Sequence, residues 1–361
     1  MKVKAKILAG LLGRTLAVLP LAGFASCNLV REDLPECPEP FVAEFQLRFV
    51  YDYNMEFANA FHNQVDCLSA YFFDKDGHLV SVHKILDREL LADENFRLAP
   101  QLPVGDYHVI AYGDMDCENA SFSNKNLSEG ALFSDLHVHL NPDCLIDSTR
   151  FRLHNHYYGS ADFSVDPQSN MQATVHMMRN TNSIQVALQH LNGSFIDHND
   201  FIYEITDDNN DFDYENNLLA TGEIKYNPWN TETRSTGVVS TDGDDDDDNP
   251  DDPDNDDIDQ NWYAAVAQFT TSRLVAQKQT STTLHVRRAE DGQTVFRIPL
   301  INYMLLFKHD NSGAGLDNMG DQEYLDRENT WNFVFFLKDG LWVDGHIIIN
   351  DWEVRMNNTD F

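Results

Sequence analysis

The sequence is poor in positive charge and contains none of the short motifs that mark common enzymes. Its 361 residues carry 25 lysines and arginines against 59 aspartates and glutamates, a formal net charge of −34. Such a chain repels nucleic acids and anionic lipid headgroups, so neither is an expected partner. The patterns GxSxG, GxxxxGKS/T, HExxH and CxxC are all missing, which argues against the common hydrolase, nucleotide-binding, metalloprotease and dithiol sites. We therefore expect no enzyme activity, no cofactor and no metal centre.

Long apolar runs are also scarce, and the clearest one lies near the N-terminus. Residues 15–25 are too short to span a bilayer, and they follow a basic segment with three lysines and one arginine. The run ends in small residues immediately before Cys27. This arrangement is typical of a lipoprotein signal peptide, residues 1–26, whose removal leaves a lipid-carrying Cys27 as the first mature residue. The alternative is an ordinary secretory signal that leaves Cys27 as a plain thiol.

Cysteine is rare, with five in the whole chain. If Cys27 carries lipid, the remaining four are an even number, which permits disulfides in an exported protein. We favour a bond between Cys37 and Cys117, because both flank predicted strands at an expected domain edge. Cys67 lies within a predicted strand, where it could instead be a buried apolar thiol.

A convincing helical period is missing from every long stretch, whereas alternation with a period of two is common. Residues 41–52 place apolar side chains on one face and polar ones on the other, as a half-buried strand does. The Asp-Lys-Asp-Gly sequence at 74–77 is a strong hairpin turn signal. One short helix is expected at 321–328, with Asp321 as its N-cap. Strands are predicted at 41–51, 65–73, 78–83, 95–99, 106–112, 136–140, 150–165, 201–206, 219–226, 262–271, 282–288, 294–300, 331–337 and 341–349. Residues 171–191 are expected to supply one strand or a pair, with a break at 180–182.

These elements predict an all-β protein of two tandem β-sandwich domains. A proline-containing tether at 27–40 leads into an N-terminal sandwich at 41–170, and a C-terminal sandwich follows at 171–361. The C-terminal sandwich contains an acidic insertion at 240–260.

The acidic insertion carries 12 aspartates between Asp242 and Asp259. Like charges repel and almost nothing apolar is available to pack, so composition predicts disorder. An EF-hand calcium loop is not favoured, because the required glycine and closing glutamate are missing. Loose association with divalent cations is the weaker alternative.

Few other residues suggest a binding site. The pairs His137/His139 and His154/His156 have a spacing that could bind zinc on a strand. We prefer the simpler interpretation that they face solvent and alternate with core residues. Exposed aromatics such as Trp229 could stack on sugars, but aromatics in a β protein belong to the core by default.

Several segments together resemble one family, the FimB-type fimbrial anchor lipoproteins (fimbrillin-A-associated anchor proteins) of Bacteroides-like bacteria. The similar segments begin at Phe49 (FVYDYNMEFANAFHNQVDCLSAYFFDKDG), Leu102 (LPVGDYHVIAYG), Thr174 (TVHMMRNTNSIQVALQHLNG), Phe201 (FIYEITDDN), Met319 (MGDQEYLDRE) and Ile349 (INDWEVRMNN). The resemblance implies transthyretin-like β-sandwiches, attachment to the outer membrane through lipid on Cys27, and a place at the base of a surface fimbrium. There such proteins anchor the shaft and limit its length.

The expected partners are therefore fimbrial shaft subunits, joined by strand addition to an open sheet edge, and the outer membrane. The sequence stops soon after Trp352, which predicts a subunit that accepts a strand but has none to donate. A surface glycan-binding lipoprotein is the main alternative, although the five tryptophans are scattered along the chain. A secreted hydrolase is disfavoured by the missing nucleophile motifs.

Overall fold

The computed structural model describes residues 45–146, 151–166, 171–219, 221–237, 261–310, 316–350 and 352–355. The predicted signal peptide, Cys27, the tether with Cys37, and the acidic insertion lie outside these residues. The strands are β1 Gln46–Tyr53, β2 Leu68–Asp74, β3 Leu79–Ile85, β4 Gly105–Gly113, β5 Phe122–Asn124, β6 Val138–Leu140, β7 Tyr157–Val165, β8 Gln172–Arg179, β9 Thr181–His190, β10 Phe201–Asp207, β11 Asp211–Phe212, β12 Ile224–Tyr226, β13 Asn230–Gly237, β14 Asn261–Ser272, β15 Thr283–Arg288, β16 Thr294–Pro299, β17 Thr330–Lys338, β18 Leu341–Ile349 and β19 Trp352–Arg355. The α-helices are α1 Phe61–Gln64, α2 Arg88–Leu91, α3 Leu300–Asp310 and α4 Asp321–Arg327.

The strands form two six-stranded sheets and two smaller ones. The first large sheet has the order β1-β8-β7-β4-β2-β3, and the second has the order β13-β14-β9-β17-β18-β19. The smaller sheets are β12-β10-β15-β16 and β11-β6-β5. The predicted all-β sandwich class is confirmed.

Strand β8 changes the expected division of the chain. It follows residue 170, where the C-terminal sandwich was expected to begin, yet it pairs in parallel with β1 and antiparallel with β7. The chain leaves the first sheet at Asn180 and enters the second with β9. The number of domains stays a prediction, and the described residues fall within one compact unit.

Two hydrophobic cores use opposite faces of the first sheet. One face packs with residues of α1 and α2, such as Phe61 and Leu91, in the smaller core. The other face contributes Tyr71, Ile110 and others to a larger core that also contains the second sheet and both longer helices. Because both faces bury apolar side chains, β2 is buried along almost its whole length, with Asp74 only half-buried.

Helix α3 was missed by sequence reasoning, and the start of α4 was placed differently. The α3 sequence LINYMLLFKHD is apolar on most sides, so it carries no clear amphipathic period. Helix α4 forms as predicted, but its N-cap is Gly320 and not Asp321. The predicted strand at 95–99 is wrong as well, because only Leu98 makes a bridge, to Leu47.

Candidate functional site: an acidic and aromatic groove

The floor of the groove is the end of one sheet face. Along β4, Asp106, His108, Ile110 and Tyr112 share a face, because side chains alternate along a strand. Ile110 and Tyr112 are almost fully buried in the larger core, whereas Asp106 is exposed and His108 is half-buried. This face of the sheet is therefore apolar and buried at Ile110 and Tyr112, and it becomes polar and accessible to solvent toward Asp106.

Strand β7 supplies the other half of the floor. Asp162 lies opposite His108 and Ser164 opposite Asp106 in the antiparallel ladder. The His108 Nδ1 atom lies 2.7 Å from Asp162 Oδ1, and the Ser164 hydroxyl donates to Asp106 over 2.6 Å. These cross-strand bonds hold both carboxylates in place.

The walls are aromatic and come from distant parts of the chain. The rings of Phe133 and Tyr214 lie 4.7 Å apart, and the Tyr158 hydroxyl donates to the Tyr214 carbonyl over 3.0 Å. Phe133 is held by its backbone N–H, which donates to the Gly77 carbonyl over 2.9 Å. A Cβ at Gly77 would lie 2.5 Å from the Phe133 ring, and the φ of Gly77 is +83°. The turn predicted from sequence thus requires glycine at position 77 for two reasons. Its backbone has a positive φ, and a side chain there would collide with the Phe133 ring.

The groove has a volume of about 800 Å³ and a negative charge. The backbone N–H of His78 donates to the carboxylate of Asp74 and lowers its pKa. The lining residues are Asp74, Lys75, Asp106, Tyr107, His108, Phe133, Tyr158, Ser160, Asp162, Phe163, Ser164, Tyr214 and Glu215. Carboxylates outnumber the single lysine, so the groove favours a cation over an anion.

The cysteines pair differently from the expectation. Cys67 bonds to Cys117, with their Cα atoms 5.7 Å apart, so the bond expected between Cys37 and Cys117 is not the one in the structure. The reason is the sheet topology, because Leu68 at the start of β2 lies opposite Gly113 at the end of β4. This pairing brings Cys67, just before β2, close to Cys117, which follows β4 in the chain. Among the cysteines that the structure describes, Cys144 is the one outside this disulfide, and it is half-buried.

Asp114 lies beside the disulfide. Its carboxylate accepts hydrogen bonds from the backbone N–H groups of Asp66 at 2.7 Å and Cys67 at 3.2 Å. Burial raises the pKa of Asp114 to about 7. Among the described residues, Cys67, Asp114 and Cys117 are also the one set of potential metal ligands that converges, and their sulfurs are joined to each other.

The histidine pairs do not form a metal site among the described residues. His137 and His154 are exposed, and the ring of His139 lies 3.1 Å from the Ser123 hydroxyl. The expectation that these residues face solvent is wrong for His156, which is fully buried and stacks on Phe122 at 4.7 Å. Burial lowers the pKa of His156 to about 3.

Trp229 lies in a second, smaller cleft of about 160 Å³. The guanidinium of Arg152 lies over its ring at 5.2 Å from the centroid. Amide side chains complete the cleft, including Gln185 and Gln268, which are hydrogen-bonded to each other over 3.2 Å. An indole next to several amides is a surface that can contact a sugar.

The edges of the first sheet differ in how far the chain itself covers them. On β1, Leu47 exchanges two backbone hydrogen bonds with Leu98, and Tyr51 accepts one from the Ala60 N–H. On β3, the described residues cover only the start of the strand, where His78 bridges Leu132 and the Leu79 N–H donates to the Ala131 carbonyl over 2.8 Å. Val80 and Val82 of β3 are 42% and 38% exposed. Of these two edges, β3 is therefore the more accessible.

Sequence reasoning did not identify the groove, because its residues are far apart in the chain. The signal that could have pointed to it is the face of β4, which changes from Asp106 and His108 to Ile110 and Tyr112. The proposed lipid site at Cys27 and the expected cysteine Cys37 lie outside the described residues. Within those residues no helix has the length and apolarity needed to cross a membrane.

Comparison with known proteins gives consistent matches over almost the whole chain. The sequence model of the fimbrillin-A associated anchor proteins Mfa1 and Mfa2 matches residues 34–358. A candidate adhesin from Bacteroides thetaiotaomicron is 40% identical with a TM-score of 0.77, covering 87% of this chain and 98% of its own. A candidate polysaccharide-binding protein from the same species is 27% identical with a TM-score of 0.70, covering 88% and 99%.

A fimbrial structure shares the same fold at lower identity. The fimbrial anchor protein Mfa2 from Porphyromonas gingivalis is 17% identical with a TM-score of 0.60, covering 87% of this chain and 99% of its own. No curated protein sequence matches the chain significantly. Because the family match spans nearly every residue after the N-terminal segment, this chain belongs to the fimbrillin-A associated anchor proteins.

Proposed function

We propose that this protein is the lipid-tethered anchor subunit at the base of a bacterial fimbrium. In this role it attaches the shaft to the outer membrane and limits the length of the shaft. The observation that carries the proposal is the match of the anchor family to residues 34–358. The role requires binding and tethering but no catalysis, in keeping with the missing enzyme motifs.

The membrane tether in this proposal is lipid on Cys27. Burial of acyl chains yields about 0.8 kcal/mol per methylene, and one chain is marginal whereas two or three hold firmly. Mass spectrometry of the mature protein should find acyl mass on Cys27 as its first residue. Cys27→Ala should release the protein from the detergent phase into the soluble fraction or the medium. An unmodified first residue other than Cys27 would contradict the lipid tether.

The shaft contact in this proposal is strand addition. A strand added to a sheet edge gains main-chain hydrogen bonds for affinity and side-chain contacts for specificity. The accessible β3 edge supports this step, since its regular ladder with β2 runs from Ser81 to Ile85 and Val80 and Val82 are exposed beside it.

Removal of the gene tests the anchoring role. Shaft subunits should still polymerise, because polymer growth needs only their own strands, but the fimbriae should be longer and shed into the medium. Cys27→Ala should retain part of the length control and lose retention at the cell. Electron microscopy of cells and spent medium measures both outcomes, and attached fimbriae of unaltered length in the deletion strain would refute the anchor.

A surface glycan-binding role is the second candidate, and the Trp229 cleft favours it. A structural relative at 27% identity is described as a candidate polysaccharide-binding protein. This role predicts normal attached fimbriae in the deletion strain, together with a defect in adhesion or growth on a particular polysaccharide. Trp229→Ala should reproduce that defect, whereas an anchor should keep its function after the same change.

A further inference from the structure

We propose that the acidic groove binds an extended, positively charged segment of a partner protein and receives arginine side chains from it. The proposal adds a site and a ligand chemistry that the anchoring role does not specify. It can fail while the anchoring role holds, and the reverse is also true.

The charge of the groove selects a cation. Among the described residues that line the groove, one lysine, Lys75, stands against four carboxylates: Asp74, Asp106, Asp162 and Glu215. The Asp162 side chain is 89% exposed, and an ionised carboxylate has about four lone-pair positions. The contact with His108 on the neighbouring strand therefore fixes the orientation of the Asp162 carboxylate. Its remaining lone pairs can still accept hydrogen bonds from a ligand. Fixed acceptors cost a ligand less ordering entropy than mobile ones.

The aromatic walls select a guanidinium over an ammonium. The rings of Phe133 and Tyr214 form one wall, 4.7 Å apart. A planar guanidinium can stack on an aromatic face while its N–H groups bind a carboxylate through two parallel hydrogen bonds. A lysine ammonium is a compact, strongly hydrated point charge and gains less from such a surface.

The same protein already uses this chemistry inside its fold. The guanidinium of Arg327 lies 4.1 Å from the Tyr53 ring centroid and 4.3 Å from that of Phe57. Its Nε atom also donates to the Glu323 carboxylate over 2.8 Å. The groove offers the same combination of two rings and carboxylates, and none of the described residues that line it is an arginine.

Other ligand classes fit less well. A bare divalent cation needs oxygens that converge, and the groove carboxylates are not among the convergent sets of the described residues. An anionic ligand would be repelled. The groove has a floor of two paired strands and a volume of about 800 Å³, so it has room for several side chains. This size favours an extended segment over a single small cation.

Peptide binding to the full-length protein tests the proposal. The probe is a fluorescein-labelled octapeptide of alternating arginine and glycine, read by fluorescence anisotropy at low and physiological salt. Octapeptides in which lysine or glutamate replaces arginine are the comparison ligands. We expect the order arginine, lysine, glutamate from tightest to weakest, with affinity falling as salt rises.

A triple variant locates the binding site. Asp106→Asn, Asp162→Asn and Glu215→Gln together should weaken the arginine peptide roughly tenfold. The control triple changes exposed carboxylates outside the groove: Glu94→Gln, Glu118→Gln and Glu290→Gln. The aspartate-rich insertion is present in both variants, so unspecific binding to it cannot produce a difference between them.

Two single variants test the details. Tyr214→Leu keeps the backbone carbonyl that binds Tyr158 and should weaken the arginine peptide roughly threefold, and the lysine peptide less. Lys75→Gln removes the positive charge that competes with the ligand, so it should tighten the binding of both the arginine peptide and the lysine peptide. The proposal would be overturned by equal losses of arginine-peptide affinity in the two triple variants. It would also be overturned by a glutamate peptide that binds as well as the arginine peptide, or by no peptide binding at all.

Discussion

Asp114 and His156 are buried titratable residues whose pKa values move in opposite directions. Burial raises the pKa of Asp114 from 3.8 to about 7, so the folded state keeps a proton that the unfolded state releases. The contribution of Asp114 to the free energy of unfolding is therefore fully present below pH 3.8 and is lost as the pH rises through about 7. Burial lowers the pKa of His156 from 6.5 to about 3, so its contribution is present above pH 6.5 and is lost as pH falls toward 3.

The two residues should therefore compensate each other between about pH 4 and 6.5. We expect Asp114→Asn to expose the His156 dependence, so that the free energy of unfolding rises with pH by up to about 1.4 kcal/mol per unit. Asparagine keeps an acceptor for the N–H groups of Asp66 and Cys67, and it tolerates the positive φ of 61° at this position.

The reciprocal variant is His156→Phe, which keeps an aromatic ring against Phe122. Its free energy of unfolding should fall more steeply with rising pH than that of the wild-type protein over the same range, because the contribution of Asp114 is no longer offset by that of His156. Urea titrations at several pH values measure both slopes, and the other titrating groups are shared by the two variants. Parallel pH profiles for both variants and the wild-type protein would contradict this compensation.

Among the secondary-structure elements, β7 depends on a residue without a side chain. A Cβ at Gly159 would lie 2.6 Å from the His176 carbonyl oxygen on β8, so alanine there must push the two strands apart. We expect Gly159→Ala to lower the free energy of unfolding by about 1–3 kcal/mol. Gly105→Ala is the matched control in the neighbouring strand, since its added Cβ would meet Tyr107 at an ordinary 3.6 Å. Thermal denaturation of the two variants tests the difference, and equal stability would show that β8 moves at little cost.

Strand β3 is the element on which the proposed shaft contact depends. Val80→Lys with Val82→Lys places charge on this edge, and lysines on an edge strand discourage pairing with another chain. We expect less shaft subunit to co-purify with the detergent-extracted double variant. Ile202→Lys with Leu341→Lys is the control, because these residues are similarly exposed, 41% and 53%, on other strands. Equal recovery of shaft subunits with both double variants would exclude β3 as the contact.

At the scale of the whole molecule, the acidic insertion should be dispensable for folding. Its flanking strands meet, since Gly237 of β13 lies opposite Asn261 of β14, so a short loop can join them. Deletion of Asp242–Asp259 takes the net charge from −34 to −22 because it removes 12 aspartates. Less self-repulsion should leave the melting temperature unchanged or slightly higher. A large loss of stability in differential scanning calorimetry would show that the insertion contributes to the fold.

The sequence alone was sufficient for the properties that depend on near neighbours. Alternating side chains predicted most strands, and the Asp-Lys-Asp-Gly turn formed where expected, with Gly77 at positive φ. These features depend on residues a few positions apart, so a linear pattern contains them. The family resemblance also came from sequence, because ordered segments along the chain carried it.

Only the tertiary structure decided which distant residues meet. The Cys67–Cys117 bond, the burial of His156 and the place of β8 in the first sheet all follow from strand pairing between separate segments. The groove has the same origin, since Phe133 and Tyr214 approach a floor made by β4 and β7. Alternation specifies which face of a strand is apolar, but not which partner covers it. That choice depends on the register and order of strands in the sheet, which bring together residues that are far apart in the chain.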